Sequence, residues 1–219
     1  MGQPAARVAD NVTHPLPPVL TGSPGSVTVL IGGLPAWRGI PVAQAAVLQS
    51  AKQVADGIIQ GAQAATAAAV GPAIPVAKAA EEATKLSVAA SMAGLIGSLV
   101  GAGSATAALS GGMVDVHTCT TPLPIPPHGP GVVVDGSTSV MINGLPACFM
   151  GATIVEALGP PNKIAKGCPT VMIGKGPAPP SIPVDTSQIA STMQAQAANA
   201  ANEAAAAEEE RQRQEEENS

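Results

Sequence analysis

A short pattern recurs along this chain and constrains its fold more than any other feature. Thr28-Val29-Leu30-Ile31-Gly32-Gly33-Leu34-Pro35-Ala36 is repeated as Ser139-Val140-Met141-Ile142-Asn143-Gly144-Leu145-Pro146-Ala147 and again as Thr170-Val171-Met172-Ile173-Gly174-Lys175-Gly176-Pro177-Ala178. Each copy is a β-branched run, a glycine turn and a Gly-x-Pro-Ala corner. The chain also opens on a further corner, Gly2-Gln3-Pro4-Ala5. Repeats of one supersecondary unit decide the architecture before any single residue does.

The material between the repeats is of two kinds. Residues 1–38 and 113–180 are rich in proline and glycine, which exclude long helices there. Residues 39–112 read as a helical hairpin. Val47, Ala51, Val54, Ile58, Ala62 and Ala65 recur at helical spacing, Gly71-Pro72-Ala73-Ile74-Pro75 breaks the pattern, and a second helix is predicted from about Val76 to Leu109. The hairpin interrupts the repeats between Arg38 and Val114, so it reads as an insertion. Residues 181–219 form an alanine- and glutamate-rich segment with helix propensity and little to bury, predicted as a solvated helix or frayed tail. The expected class is α+β: a small pseudo-threefold cone of short β-hairpins, an inserted α-helical hairpin and a charged C-terminal helix or tail.

Composition narrows the functions. The chain has one Trp, one Phe and no Tyr, so a thin core is expected to need a staple such as a metal. The net charge of −5 is already contained in residues 203–217, which hold seven Glu and two Arg. A chain without a basic patch or stacking aromatics is not expected to bind nucleic acid. Three cysteines far apart in sequence fit metal ligation or free thiols better than a disulfide framework. The opening residues contain no apolar run, which predicts no secretory signal.

Metal-type residues fall in phase with the corners. Asp10 and His14 follow the first corner. Asp115 and His117 follow the second once the insertion is set aside, Cys168 follows the third, and His128 precedes Val132 as His14 precedes the first strand. Three His and one Cys match a closed tetrahedral zinc site. His117-Thr118-Cys119 leaves open whether Cys119 replaces His117 or Cys168. Cys148 falls where Trp37 stands in the earlier copy and reads as a core residue. With four protein donors and no HExxH motif, an enzyme is not expected.

These residues resemble a known family. Pro4-Ala5-Ala6-Arg7-Val8-Ala9-Asp10 is similar to the motif that names the PAAR-repeat proteins. Gly22 to Ala36, Gly136 to Ala147 and Cys168 to Gly174 resemble the same family. The resemblance spans residues 1–38 and 113–178. It implies a β-cone with one structural Zn2+ near its apex, held here by His14, His117, His128 and Cys168. It also implies that the base of the cone caps the trimeric β-helical spike of type VI secretion and related contractile injection machines, one chain per trimer. The expected life of such a chain is in the bacterial cytoplasm, then outside it with the fired spike. The pattern loosens over Met150 to Gly167, and Cys148-Phe149 replaces the Trp37-Arg38 of the earlier copy. The insertion adds an alternative. Residues 86–110 carry no charge, which allows transient membrane contact; the other readings are a soluble hairpin whose second helix packs on the first, and a dock for an effector or chaperone.

Overall fold

A computed structural model describes residues 2–13, 19–21, 25–108, 113–119, 128–179 and 182–218. Among them are ten short strands and three helices, a mixed α+β fold. The chain divides into a β unit, residues 1–50 with 93–184, and a helical unit, residues 51–92 with 185–219.

The repeats fold as the β-branched runs require. β2 (Leu30–Ile31) pairs with β3 (Leu34–Pro35), and β6 (Met141–Ile142) pairs with β7 (Leu145–Pro146), both antiparallel. Their two-residue turns have positive φ at both centres, 56° and 83° at Gly32 and Gly33, 51° and 75° at Asn143 and Gly144. That is the type I′ geometry whose twist suits a hairpin, and Gly and Asn adopt it at low cost. The third run, β10 (Cys168–Ile173), pairs instead with β1 (Gln3–Ala5), in the register Ile173↔Gln3 and Met172↔Pro4. That register matches Ile31↔Leu34 and Leu30↔Pro35. The opening corner of the chain therefore completes the third repeat.

Hydrogen bonds join the three repeats in a ring. Ala6 N–H donates to Cys148 O at 2.9 Å, Cys148 N–H to Trp37 O at 3.0 Å, and Trp37 N–H to Ala6 O at 3.0 Å. A second set runs round the ring in the opposite sense: Val8 N–H to Pro35 O at 2.9 Å, Gly39 N–H to Pro146 O at 2.9 Å, and Met150 N–H to Pro4 O at 2.8 Å. Ala6, Trp37 and Cys148 are all buried at this ring, together with Ile31, Ile142 and Ile173, one from each repeat. Close approach is demanded at the repeat starts. A Cβ on Gly25 would lie 2.8 Å from Pro35 Cβ, one on Gly136 2.7 Å from Pro146 Cβ, and one on Gly167 2.6 Å from Pro4 O. No real side chain sits so close, so each repeat must begin with glycine.

Beyond each corner the chain turns back in the same way. Asp10 N–H donates to Arg7 O (3.1 Å), Asp115 N–H to Arg38 O (3.4 Å) and Ala152 N–H to Phe149 O (3.0 Å). In two repeats the turn carries an ion pair. Arg7 Nη2 is 2.8 Å from Asp10 Oδ1, and Arg38 Nη2 is 2.9 Å from Asp115 Oδ1. Arg38 Nε and backbone N–H also donate to Asp115 Oδ2, at 2.9 and 2.8 Å. Arg7 and Asp10 are joined by two residues. Arg38 and Asp115 are joined by the whole hairpin, so this buried pair ties its two roots together. In the third repeat Phe149 and Ala152 replace the charges, and both are buried.

The inserted helices are α1 (Val42–Ala68) and α2 (Ala73–Ala108). Alanine content and the absence of internal proline sustain α1. α2 begins earlier than the spacing predicts, because Pro75 falls in its first turn, where a missing N–H costs nothing. The buried face of α1 also differs from the predicted stripe. Ala45, Leu48, Ala51 and Ala55 are buried, while Val47 and Val54 are half-buried. Leu48 and three alanines share the buried face, and the two valines fall at its edges. The predicted closing glycines, Gly111-Gly112, lie outside the described residues.

In the helical unit α3 (Ser187–Glu217) packs with the hairpin rather than fraying. Met193 and Ala197 are buried, and Ser91 Oγ donates to Gln196 Oε1 at 2.7 Å. Of the two forms expected from composition, solvated helix or frayed tail, the chain takes the helix, largely exposed but for one narrow apolar stripe. Its polar faces hid that stripe, since two buried positions leave little periodic signal.

Candidate metal centre

The site grows from one four-stranded sheet of order β4-β5-β8-β9, formed by β4 (Val116–Cys119), β5 (Gly129–Val133), β8 (Thr153–Glu156) and β9 (Asn162–Lys163). Strand alternation puts His117 and Cys119 on the buried side of β4 and exposes Thr118. His117 is opposite Gly131 in β5, and Gly131 is opposite Glu156 in β8. Gly131 has no side chain to fill the middle of this row. A Cβ there would lie 2.7 Å from Glu156 Cγ. The gap lets the Glu156 carboxylate reach across the central strand.

Glu156 is fully buried, and both its oxygens face imidazoles. His128 Nδ1 is 2.9 Å from Oε2 and His117 Nε2 is 3.6 Å from Oε1. The first is a hydrogen bond; the second is an ion-pair distance beyond hydrogen-bond range. His128 lies at the head of β5, where Leu158 N–H donates to its carbonyl at 3.0 Å. Cys119 is opposite Gly129 in the next position of the same ladder. The thiol of Cys119, the His128 ring and the Glu156 carboxylate bring one donor atom each within 4.8 Å of one another.

This buried Cys/His/Glu group can hold a metal ion. The donor set joins a soft sulfur, an imidazole nitrogen and a hard oxygen, the mixture that zinc accepts in tetrahedral coordination. Burial also favours a cation, since an ionised carboxylate away from water is costly unless it is paired. His117, on the second oxygen of the same carboxylate, is placed to orient Glu156 or to join the ligands.

The sequence-predicted ligands have separate fates. His128 is in the group and His117 stands beside it. His14 lies outside the described residues. Cys168 is placed elsewhere, in the β1–β10 pair, with its Sγ 3.3 Å from Thr170 Oγ1. The repeats explain why. Cys168 occupies the position of Ser26 and Ser137, the second residue of each copy. Ser26 Oγ accepts from Val29 N–H and Ser137 Oγ from Val140 N–H, each at 3.0 Å. Cys168 is the sulfur version of that turn cap. Hydrogen bonds from Thr170, with its hydroxyl foremost, and the nearby Arg7 charge lower its pKa below the usual thiol value. Cys148 is a core residue at the three-membered ring, and burial drives its thiol pKa well up.

Glu156 escaped the sequence reading, although a signal for it existed. Cys119 is four residues past Asp115, Glu156 is four past Ala152, and His14 is four past Asp10. Counting from the turn behind each corner, rather than to the nearest histidine or cysteine, picks out these three positions. Ala152 hid the third because it lacks the aspartate that marks the other two.

Comparison of the chain with protein-family models, curated proteins and solved structures gives no match.

Proposed function

We propose that the β unit is a non-enzymatic, zinc-stabilised tip that caps the trimeric β-helical spike of a contractile injection machine of the type VI kind and links cargo effectors to it. One observation carries the reading: three repeats joined head to tail in a ring each expose one large apolar side chain at the same position. Those residues are Leu30, Met141 and Met172, at 62, 55 and 56% exposure. Repeats closed in this way support the reading of the β unit as a pseudo-threefold cone. Such a body presents one repeat to each subunit of a threefold partner, so a single chain serves a trimer. Residues 25–36, 136–147 and 167–178 hold one charge in all, Lys175, which suits an apolar contact.

In this reading one Zn2+ per chain is held by Cys119, His128 and Glu156, with His14 joining by its place in the repeat. Four protein donors leave no open position for a substrate water, so the metal acts as a staple. Although residues 40–50 and 93–108 belong to the β unit, the insertion is not needed to form the metal centre. Replacing Ile40–Gly111 with a short Gly/Ser linker leaves a metal-loaded tip, because the Arg38–Asp115 pair fixes the loop roots. Before firing the chain resides in the bacterial cytoplasm, and it leaves with the spike.

Co-purification with a trimeric β-helical spike protein, read by native mass, tests the proposal. The expected complex holds one chain per trimer. Leu30→Asp, Met141→Asp and Met172→Asp together should abolish it while metal content is unchanged; a complex that survives all three sinks the reading.

A second reading rests on α2. Ala73–Gly101 is long and apolar enough to cross a membrane by length and composition, with a mean hydropathy of 1.4. Here the hairpin acts on a bilayer during delivery. Leakage from dye-loaded vesicles, lost when Leu86 and Leu95 are changed to Lys, separates it from the first reading.

A further inference from the structure

The helical unit has a feature that neither the ring nor the metal centre uses. All three helices line an open groove of about 300 Å³, with Ile58, Ala62, Ala80, Ala197, Ala201 and Glu81, which pairs with Lys85, among its walls. Alanine side chains are too short to fill the space between these helices. The apolar stretch of α2 is poorly covered too. Its most apolar window is 22% buried, and Leu86 remains 57% exposed. An apolar surface of this kind marks a contact site when something complementary can cover it.

Charge identifies what would cover it. The acidic run of α3 begins at Glu203, within a turn of Ala201, and residues 203–217 carry seven Glu against two Arg. Gln212 Nε2 lies 3.5 Å from Pro72 O, which puts this run beside the α1–α2 connection. An anionic membrane surface would be repelled by the same carboxylates. A helix with bulky aliphatic residues on one face and Lys or Arg along its flanks meets both demands. Its side chains fill the alanine-walled groove, and its cations face the glutamates. We propose that the groove seats one basic amphipathic helix of a partner protein, independently of what the β unit binds.

The full chain, titrated with a labelled amphipathic helix made only of Leu and Lys, tests this. A matched Leu/Glu peptide and phosphatidylglycerol vesicles serve as competitors. The expected result is saturable one-to-one binding of the Leu/Lys peptide that weakens with salt. Ala65→Leu with Ala198→Leu, which fills the groove from exposed positions, should weaken it about tenfold or more, or 1.4 kcal/mol. Absence of saturation, equal affinity for the filled variant, equal binding of the Leu/Glu peptide, or preference for the vesicles overturns the proposal. Should the filled variant lose helicity, a photo-crosslinker at position 198 of the otherwise unaltered chain replaces it. Labelling of the peptide from that position supports the groove, and no labelling overturns it.

Discussion

Around Ala6, Trp37 and Cys148 the β unit closes its core with backbone hydrogen bonds, tight glycine contacts and buried ions. Around Ala51, Ala55 and Met92 the helical unit relies on small apolar side chains and leaves a groove open. The β core holds both aromatic residues of the chain, Trp37 and Phe149, and the helical unit holds none, so neither has much aromatic volume. The first compensates with directional bonds that tolerate no shift, the second with close helix contacts that tolerate several. A directional core fails sharply when one partner is removed, whereas a small-residue core loses stability in proportion to the area lost.

Tests that remove single groups can sharpen this contrast. The largest effect is expected at the metal centre. Cys119→Ala or Glu156→Ala should abolish stoichiometric metal by elemental analysis and lower the melting of the β unit by many degrees, because binding a structural metal is coupled to folding. Cys168→Ser should keep the metal, since serine caps the same turn in the other two repeats. If Cys168→Ser loses the metal and Cys119→Ala keeps it, the centre described above is misplaced.

Asp115→Ala comes next. It leaves Arg38 buried without its carboxylate and should cost about 3–5 kcal/mol in denaturant titration. The double change Arg38→Phe with Asp115→Ala reproduces the Phe149/Ala152 turn of the third repeat and should recover most of that loss. A double variant as unstable as the single one would show that the repeats are not interchangeable.

Met193→Ala should cost about 2 kcal/mol or somewhat more. It should lower helical unfolding monitored by circular dichroism and leave the metal content untouched. Loss of metal in this variant would contradict the separation of the two units.

The smallest effect concerns acid. Lys85, then the Thr66 hydroxyl, hold the Glu81 pKa below its ordinary value of 4.5. A depressed carboxylate contributes stability above its unfolded pKa and loses it as pH falls through the folded one. Glu81→Gln should therefore cost a few tenths of a kcal/mol at neutral pH and nothing at pH values well below 4. An equal cost at both pH values would assign the effect to packing.

Much of the fold was legible because the repeats carry their own geometry. Asn143-Gly144 and Gly32-Gly33 between apolar pairs dictate hairpins, and a proline-free alanine run dictates a helix. The register of β1 on β10 was less accessible, although the opening corner hinted at it, because long-range pairing leaves no local signature. The site was half legible. His128 and the nearby His117 stood out by residue type. Glu156 did not, because a carboxylate at the end of an apolar strand reads as its polar boundary until Gly131 is seen to open the gap beside it. Cys168 misled for the opposite reason, since a cysteine draws attention even where it does the work of a serine.

The pairing of β1 with β10 also sets the order of events when the chain is made. Residues 3–5 emerge from the ribosome ahead of the whole inserted hairpin and both complete repeats, and their partner at 168–173 follows all of them. At ordinary rates of synthesis the delay is on the order of ten seconds. During that time the first strand lacks its partner, although Ala6, Trp37 and Cys148 of the ring are all present once residue 148 is made. A nascent chain cut short before residue 168 holds every member of the hydrogen-bonded ring but only two of the three strand pairs, so the third repeat waits for its last strand to be translated.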